Sequence, residues 1–289
     1  MSPVPIGMPP QDLAPGLPDY PTIIHALAHA ARQVPDRIAL ICEDKSVTYA
    51  EYGRAVAGLA RRLRQLSASG ERVAIVMGNS IETSVAAMGG MAAGAQIALL
   101  NPGYTDHELT PLLIDCEPRI LICAKPMFDR ALERAGELGI SHVVVLGEGG
   151  HQLDEWIHDE SLELGEDLPA PDDPAAMFFT GGTTGLPKGA EHNHSMMTIF
   201  CRQIITQWAL DFDTERILSV APMFHIWGHH FVNIAPLYLR ATLVIVPVYT
   251  PDIVLEQFER HAITVFAGGP PAIYIGMMGS PNIDTTDFS

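Results

Sequence analysis

The residues best suited to do chemistry lie between Met177 and His194, in the run Met-Phe-Phe-Thr-Gly-Gly-Thr-Thr-Gly-Leu-Pro-Lys-Gly-Ala-Glu-His-Asn-His. An apolar stretch, Ala176 to Phe179, has the composition of a buried strand, and a helical pattern resumes from about Ser195. Between them Gly181, Gly182, Gly185 and Gly189 permit positive φ and let backbone N–H groups come close to a ligand. Thr180, Thr183 and Thr184 add hydroxyl donors, and Lys188 adds a mobile point charge. Converging amides, hydroxyls and an ammonium suit a polyphosphate. The P-loop pattern G-x-x-x-x-G-K-[ST] does not apply. Pro187 precedes the lysine and disfavours α geometry at Leu186, and Gly189 stands where a Ser or Thr is needed.

A second candidate follows another strand-like run: Ala221-Pro222-Met223-Phe224-His225-Ile226-Trp227-Gly228. A single histidine after a strand is, taken alone, more often structural than catalytic. His229 and His230 nearby raise a zinc possibility, but no Cys, Asp or Glu stands at ligand spacing. His192 and His194 also lack a third partner and are expected on the first exposed turn after the glycine loop. Gly268-Gly269-Pro270-Pro271 either leaves room at a pocket floor or marks a strand end.

These segments need a scaffold, and the sequence supplies its rhythm. Residues 1–18 hold six prolines and read as an extended leader. A helix is expected over about Thr22 to Gln33, then strands Ile38–Cys42 and Ser46–Tyr49 around Glu43-Asp44-Lys45. Thr48 with Glu51 has the form of a capping box opening a helix to about Leu66. Strand Arg72–Met77, a cap signal at Asn79/Glu82, a small-residue helix and strand Gln96–Leu100 follow. Thr105 and Glu108 open another helix, leading to strands Arg119–Cys123 and, after one more helix, His142–Leu146. The polar stretch Gly147 to Asp173 reads as a surface connection. A second alternating unit comprises strand Ile217–Val220, a helix from Trp227, strand Thr242–Val246, helix Asp252–His261 and strand Ile263–Ala267. Continuous apolar strands alternating with helices imply an α/β fold: two layered units with largely parallel sheets and helices on both faces. The glycine loop then lies at the carboxyl end of a strand beside the junction of the units, where open α/β sheets tend to bind ligands.

Composition narrows the function. The 289 residues are 47% hydrophobic and carry a net charge of −17 with a pI near 4.9. That balance argues against nucleic acid or an anionic membrane surface as the main partner, and an anionic substrate must be met by local donors. Cys42, Cys116, Cys123 and Cys201 are scattered, so buried thiols in a reducing cytoplasm are expected. No signal peptide is legible. The apolar stretch Ser84 to Leu100 is broken by Gly89, Gly90, Gly94 and Gln96, which favours a buried helix and strand over a transmembrane segment.

The joint pattern T-G-G-T-T-G-x-P-K-G resembles the nucleotide-phosphate loop of the adenylate-forming enzymes: acyl-CoA synthetases, aryl-CoA ligases, luciferases and peptide-synthetase adenylation domains. P-M-F-H-x-W-G is similar to a second signature block of the acyl- and aryl-CoA ligases, and the start of the chain, the segment from Gly70 through Asn101-Pro102, and Pro270-Pro271 fall in family order. The resemblance implies activation of a carboxylic acid, fatty or otherwise apolar, by ATP to acyl-AMP, followed by transfer to CoA. It implies ATP binding by Thr180, Gly181, Gly182, Thr183, Thr184, Gly185 and Lys188, with Mg²⁺ bridging the phosphates and no metal ligand named in this chain. Lys188 and His225 take the catalytic positions, and His225, Trp227, Gly228 and Phe231 border the acid, with Val232, Ile234 and Ile273 adding apolar surface. Val248 departs from a lysine that some plant aryl-CoA ligases carry there. The acceptor could instead be a carrier-protein thiol, and a non-catalytic nucleotide-binding fragment is the alternative outside enzymes. On this resemblance residues 19–289 are an incomplete large domain, without the magnesium-binding, ribose-binding and hinge segments or the small mobile domain, and are expected to be inactive alone.

Overall fold

The computed structural model describes residues 17–165, 167–180 and 188–288, the side chains of residues 180 and 232 excepted. Helix α1 (Ile23–Gln33) starts at Thr22, whose hydroxyl accepts from the His25 amide. Strands β1 (Ile38–Cys42) and β2 (Lys45–Thr48) form an antiparallel hairpin, and the Thr48/Glu51 capping box opens α2 (Tyr49–Gln65) as expected. Then come β3 (Arg72–Val76), α3 (Ile81–Ala92), β4 (Gln96–Leu100), α4 (Asp106–Cys116), β5 (Ile120–Cys123), α5 (Phe128–Leu138), β6 (His142–Val145) and the single turn α6 (Asp154–Ile157). The hairpin β7 (Pro174–Thr180) and β8 (Lys188–Asn193) precedes α7 (His194–Trp208). The chain closes with β9 (Arg216–Ser219), α8 (Ile226–Gly228), α9 (Ala235–Leu239), β10 (Thr242–Ile245), α10 (Pro251–His261), β11 (Val265–Ala267) and α11 (Pro271–Met278).

The strands make two sheets. One has the order β6-β5-β3-β4-β7-β8 and is parallel except at the β7–β8 edge; the other has the order β11-β9-β10-β1-β2 and is parallel except at β1–β2. In β3, Val73 and Ile75 join the large core between the sheets, while Ala74 and Val76 face a second core. That two-sided burial is why the strands read as unbroken apolar runs. Helices α1, α2 and α3 fill the middle layer, α4 and α5 cover the outer face of the six-stranded sheet, and α10 and α11 that of the five-stranded one. The expected α/β class, with largely parallel sheets and helices on both faces, is the observed one.

Three expectations are corrected. The helix after β3 is capped by Ser80, whose Oγ accepts from the Thr83 amide, and not by Asn79. Ser80 wins because Asn79 is engaged elsewhere, as described below. The connection from Gly147 to Asp173 is not confined to the surface. Trp156 and Ile157 in α6 are buried, and a Cβ on Gly58 would fall 2.4 Å from the Trp156 ring, so that glycine leaves the space the indole fills. His192 and His194 do not share an exposed turn: β8 intervenes, His192 is half-buried within it, and His194 is fully buried at the start of α7. Lys-Gly-Ala-Glu-His-Asn carries no strand pattern of its own; pairing with β7 imposes the conformation, as tertiary context does where β-propensity is weak. All four cysteines are free and buried.

Candidate active site at the seam of the sheets

The glycine-rich motif is carried by the hairpin. Phe179 pairs with Gly189 and Thr180 with Lys188, so the first and last residues of the motif's tip are held opposite one another at the carboxyl end of β7. A Cβ on Gly189 would lie 2.7 Å from Met177 Sδ, so only glycine fits against that neighbour without displacing it. The strand continues after Lys188, whereas a P-loop lysine opens a helix; the two architectures differ in kind. Gly181, Gly182, Thr183, Thr184 and Gly185 lie outside the described residues, as does the side chain of Thr180.

The second block leaves β9 through Val220 and Ala221 and turns at Pro222, whose carbonyl accepts from the His225 amide at 3.0 Å. Asn79, at the end of β3 in the other sheet, holds this turn. Its Nδ2 donates to Ala221 O at 3.1 Å and Val246 O at 3.3 Å, and its Oδ1 accepts from the Met223 amide at 2.8 Å. One amide therefore ties the carboxyl ends of β3, β9 and β10 together. His225 caps α8, its Nδ1 accepting from the Trp227 amide at 3.2 Å, and its ring is exposed. Gly228 is buried beneath the turn. A Cβ there would stand 1.9 Å from Pro222 O, so the turn packs directly on its backbone. A π-helical stretch, His229–Ile234, then links α8 to α9. Such stretches change which side chains face inward, and this one sets His229, His230 and Phe231 against β7 and α7.

Two apolar cavities flank Trp227. One, of ≈ 450 Å³, is lined by Ala221, Pro222, Phe224 and His225 and closed by Gly269 and Pro270. The other, of ≈ 500 Å³, opens between His225, Trp227 and Phe231 on one side and His192, Met196 and Phe200 on the other. His225 and Trp227 border both. Gly269 follows the end of β11 and has φ +95°, so both roles expected for the double glycine are met: a strand end and an open cavity wall. The two sequence blocks thus meet. His192 in the first stands 5.6 Å from His230 in the second, ring centroid to ring centroid, and Phe178 touches His192, His229 and His230.

The electrostatics of this seam are those of neutral imidazoles. Burial pushes His194 and His230 down to about 4, holds His229 well below its ordinary value, and lowers His192. His230 Nδ1 donates to Ile226 O at 3.0 Å, which fixes its tautomer. His229 Nδ1 accepts from Asn233 Nδ2 at 3.2 Å, and Asn233 Oδ1 accepts from Ser84 Oγ at 2.8 Å. Among the described residues no group of three His, Cys, Asp or Glu is arranged to hold a metal, and no helix is long and apolar enough to cross a membrane.

The structure therefore brings His225, Trp227 and Phe231 to one region, with Trp227 and Phe231 lining cavities and Gly228 supporting the turn from below, while Lys188 lies opposite Thr180 at the end of the hairpin that reaches this region through His192. Sequence reasoning missed Asn79, Met196, Phe200 and the roles of His192 and His230. The only sequence signal for His192 was its even offset from Ala190 along a strand that its composition does not announce. For Asn79 the Gly-Asn-Ser context pointed to a cap, and nothing local revealed its reach across the seam.

Known proteins share this architecture. A family model described as AMP-binding enzyme matches residues 27–289. The 3-[(3aS,4S,7aS)-7a-methyl-1,5-dioxo-octahydro-1H-inden-4-yl]propanoyl:CoA ligase of Mycobacterium tuberculosis is 33% identical, over 94% of this chain and 55% of its own length. The long-chain-fatty-acid–CoA ligase of Bacillus subtilis is 25% identical, over 93% of this chain and 53% of its own. ATP-bound MatB from Rhodopseudomonas palustris superposes with a TM-score of 0.77 at 25% identity, covering 90% of this chain and 52% of that one. The anthranilate CoA ligase AuaEII, bound to anthranoyl-AMP, gives 0.82 at 23% identity over 98% and 55%, which shows the shared fold. This chain spans about half the length of the curated relatives it matches. On the match across residues 27–289 and the two-sheet architecture, the chain belongs to the AMP-binding enzyme family of adenylate-forming, acyl-CoA ligase-like proteins.

Proposed function

We propose that these 289 residues supply the nucleotide-phosphate and acid-binding half of an acid–CoA ligase acting on an apolar carboxylic acid. The observation that carries the reading is the meeting of the two sequence blocks: the Thr180–Lys188 hairpin and the His225 turn adjoin through Phe178, His192 and His230 beside two apolar cavities. A carboxylate oxygen attacks the α-phosphorus of ATP, the bond to pyrophosphate breaks, and acyl-AMP forms. The CoA thiol then attacks the acyl carbon and AMP leaves. In this proposal Thr180, Gly181, Gly182, Thr183, Thr184, Gly185 and Lys188 hold the phosphates, and Mg²⁺ enters as a phosphate-bound ion accompanying the nucleotide. The protein's part in the first step is positioning and charge neutralisation at the leaving pyrophosphate. His225 borders the carboxylate, and Trp227 and Phe231 wall the hydrocarbon; cavities of this size fall within the range of about 300–1,000 Å³ usual for small-molecule sites. Names among the relatives support an apolar acid: one is a dioxo-indenyl propanoyl:CoA ligase and another a long-chain-fatty-acid–CoA ligase. Turnover to acyl-CoA is proposed for the whole protein, and ligand binding for this chain. Calorimetric titration of the chain with ATP and with an N-acylsulfamoyl adenosine, a stable mimic of the acyl adenylate, tests it. Saturable heat with either is expected; none with both refutes the proposal.

A further inference from the structure

The ≈ 500 Å³ cavity is apolar along Met196, Phe200, Trp227 and Phe231, yet three imidazoles border it. Two are committed. His225 Nδ1 accepts from the Trp227 amide, and His230 Nδ1 donates to Ile226 O. His192 differs: its Nδ1 is sealed in the protein without a partner, and neither of its nitrogens forms a hydrogen bond to a described residue. It is half-buried in β8, edge-on to Phe178, and desolvation keeps it neutral. A neutral imidazole carries one proton. A buried N–H without an acceptor is a rarer and costlier defect than a bare lone pair, so the sealed Nδ1 is the bare one and Nε2 carries the hydrogen. Its place follows from the rings. Trp227 touches Phe231 at 4.2 Å between centroids, Phe231 touches Phe200 at 5.2 Å, Phe200 touches His230 at 4.7 Å, and His230 touches His192 at 5.6 Å. This file runs from Trp227, whose amide donates to His225, to His192, so the imidazole borders the same cavity as the proposed carboxylate neighbour His225.

We infer that His192 is a specificity-determining residue whose Nε2–H selects, among apolar ring-bearing acids, those carrying a carbonyl oxygen on the hydrocarbon body. The inference rests on the proposed function, since it assumes that the cavity receives the acid. A purely hydrocarbon tail leaves the N–H desolvated and unpaired, whereas a ketone oxygen satisfies it. The flat walls at Trp227 and Phe231 favour a ring over a single chain.

The test compares the N-acylsulfamoyl adenosines of 3-cyclohexylpropanoic acid and 3-(4-oxocyclohexyl)propanoic acid, titrated calorimetrically into the chain and into His192→Leu and His192→Gln. The chain is expected to bind the oxo compound about tenfold more tightly than its hydrocarbon twin, the ratio that one well-made neutral hydrogen bond supplies. His192→Leu should abolish that ratio, and His192→Gln, which retains an N–H donor, should keep part of it. Equal binding of the pair by the unaltered chain, or an undiminished ratio in His192→Leu, overturns the inference and leaves the proposed function standing. Failure of both compounds to bind removes the two together. Should His192→Leu not fold, the comparison on the unaltered chain and on His192→Gln decides.

Discussion

Replacing Asn79 with alanine removes three hydrogen bonds from one point in the seam, and the loss can be worked out. Its Nδ2 has two hydrogens and uses both, on Ala221 O and Val246 O; its Oδ1 takes the Met223 amide. A typical intramolecular hydrogen bond contributes about 0.5–1.5 kcal/mol net, which gives roughly 3 kcal/mol for the set. Asn79 is half-buried, so water replaces part of it and the lower end, about 2 kcal/mol, is the expected loss. Against a total stability of about 5–15 kcal/mol the variant still folds, so a second effect becomes measurable. Two of the freed atoms, Ala221 O and Met223 N, lie four and two residues before His225, and the turn that aims His225 and Trp227 loses its tie to β3. Affinity for an N-acylsulfamoyl adenosine should therefore fall as well, by about tenfold if one bond's worth of positioning is lost. Asn79→Asp keeps the acceptor for Met223 but sets a carboxylate against two carbonyl oxygens, and should cost at least as much as alanine. Urea unfolding by linear extrapolation gives the stabilities, and calorimetry gives the affinities. A stability loss below about 0.5 kcal/mol, less than a single typical bond, would refute the clamp. A full loss with unchanged affinity would show that Asn79 supports the fold without orienting the turn.

Gly228→Ala places a methyl 1.9 Å from Pro222 O, and backbone cannot yield as a flexible side chain does. It should cost at least the roughly 1–3 kcal/mol usual for overpacking, read by thermal unfolding; a neutral result would mean that the turn is mobile. Lys188→Ala should weaken ATP binding by about ten- to a hundredfold, the worth of a hydrogen bond to a charged group, in a chain that still folds; unchanged affinity would remove the lysine from the phosphate site. The buried histidines set a pH dependence. His194 and His230 are pushed down to about 4 from an ordinary 6.5, so the unfolded chain binds more protons between those values and stability must fall as pH falls through that window. The slope reaches about 1.4 kcal/mol per pH unit for each histidine, and equal urea midpoints at pH 7 and pH 5 would contradict it.

Much of the scaffold was legible because it is written in local signals. The strand Gln96–Leu100 matches residue for residue, the Thr48/Glu51 box opens its helix, and Thr105 with Glu108 marks the start of α4. What was not legible depends on distance. Nothing near Ile38 announces that β1 will lie against β10, and nothing in Lys188–Asn193 announces a strand until β7 is beside it. The same holds for the candidate site. The motif residues could be picked out by type and spacing, whereas Asn79 and His192 take their importance from what approaches them in three dimensions. The π-helical stretch is a further case, since a shift of one residue in hydrogen-bond register leaves no composition signature.

The pairing of β1 with β10 carries a consequence for how the molecule comes into being. Thr242 Oγ1 donates to Ile38 O across 204 positions of chain, while every strand of the six-stranded sheet falls between Arg72 and Asn193. As the polypeptide emerges from the ribosome, that sheet can assemble from consecutive segments, but the β1–β2 ribbon must wait, one edge bare, until β10 is synthesised. Long-range closure of this kind is slow, and waiting edges attract other nascent chains. A translational pause before Thr242–Ile245 have left the ribosome would prolong that hazard.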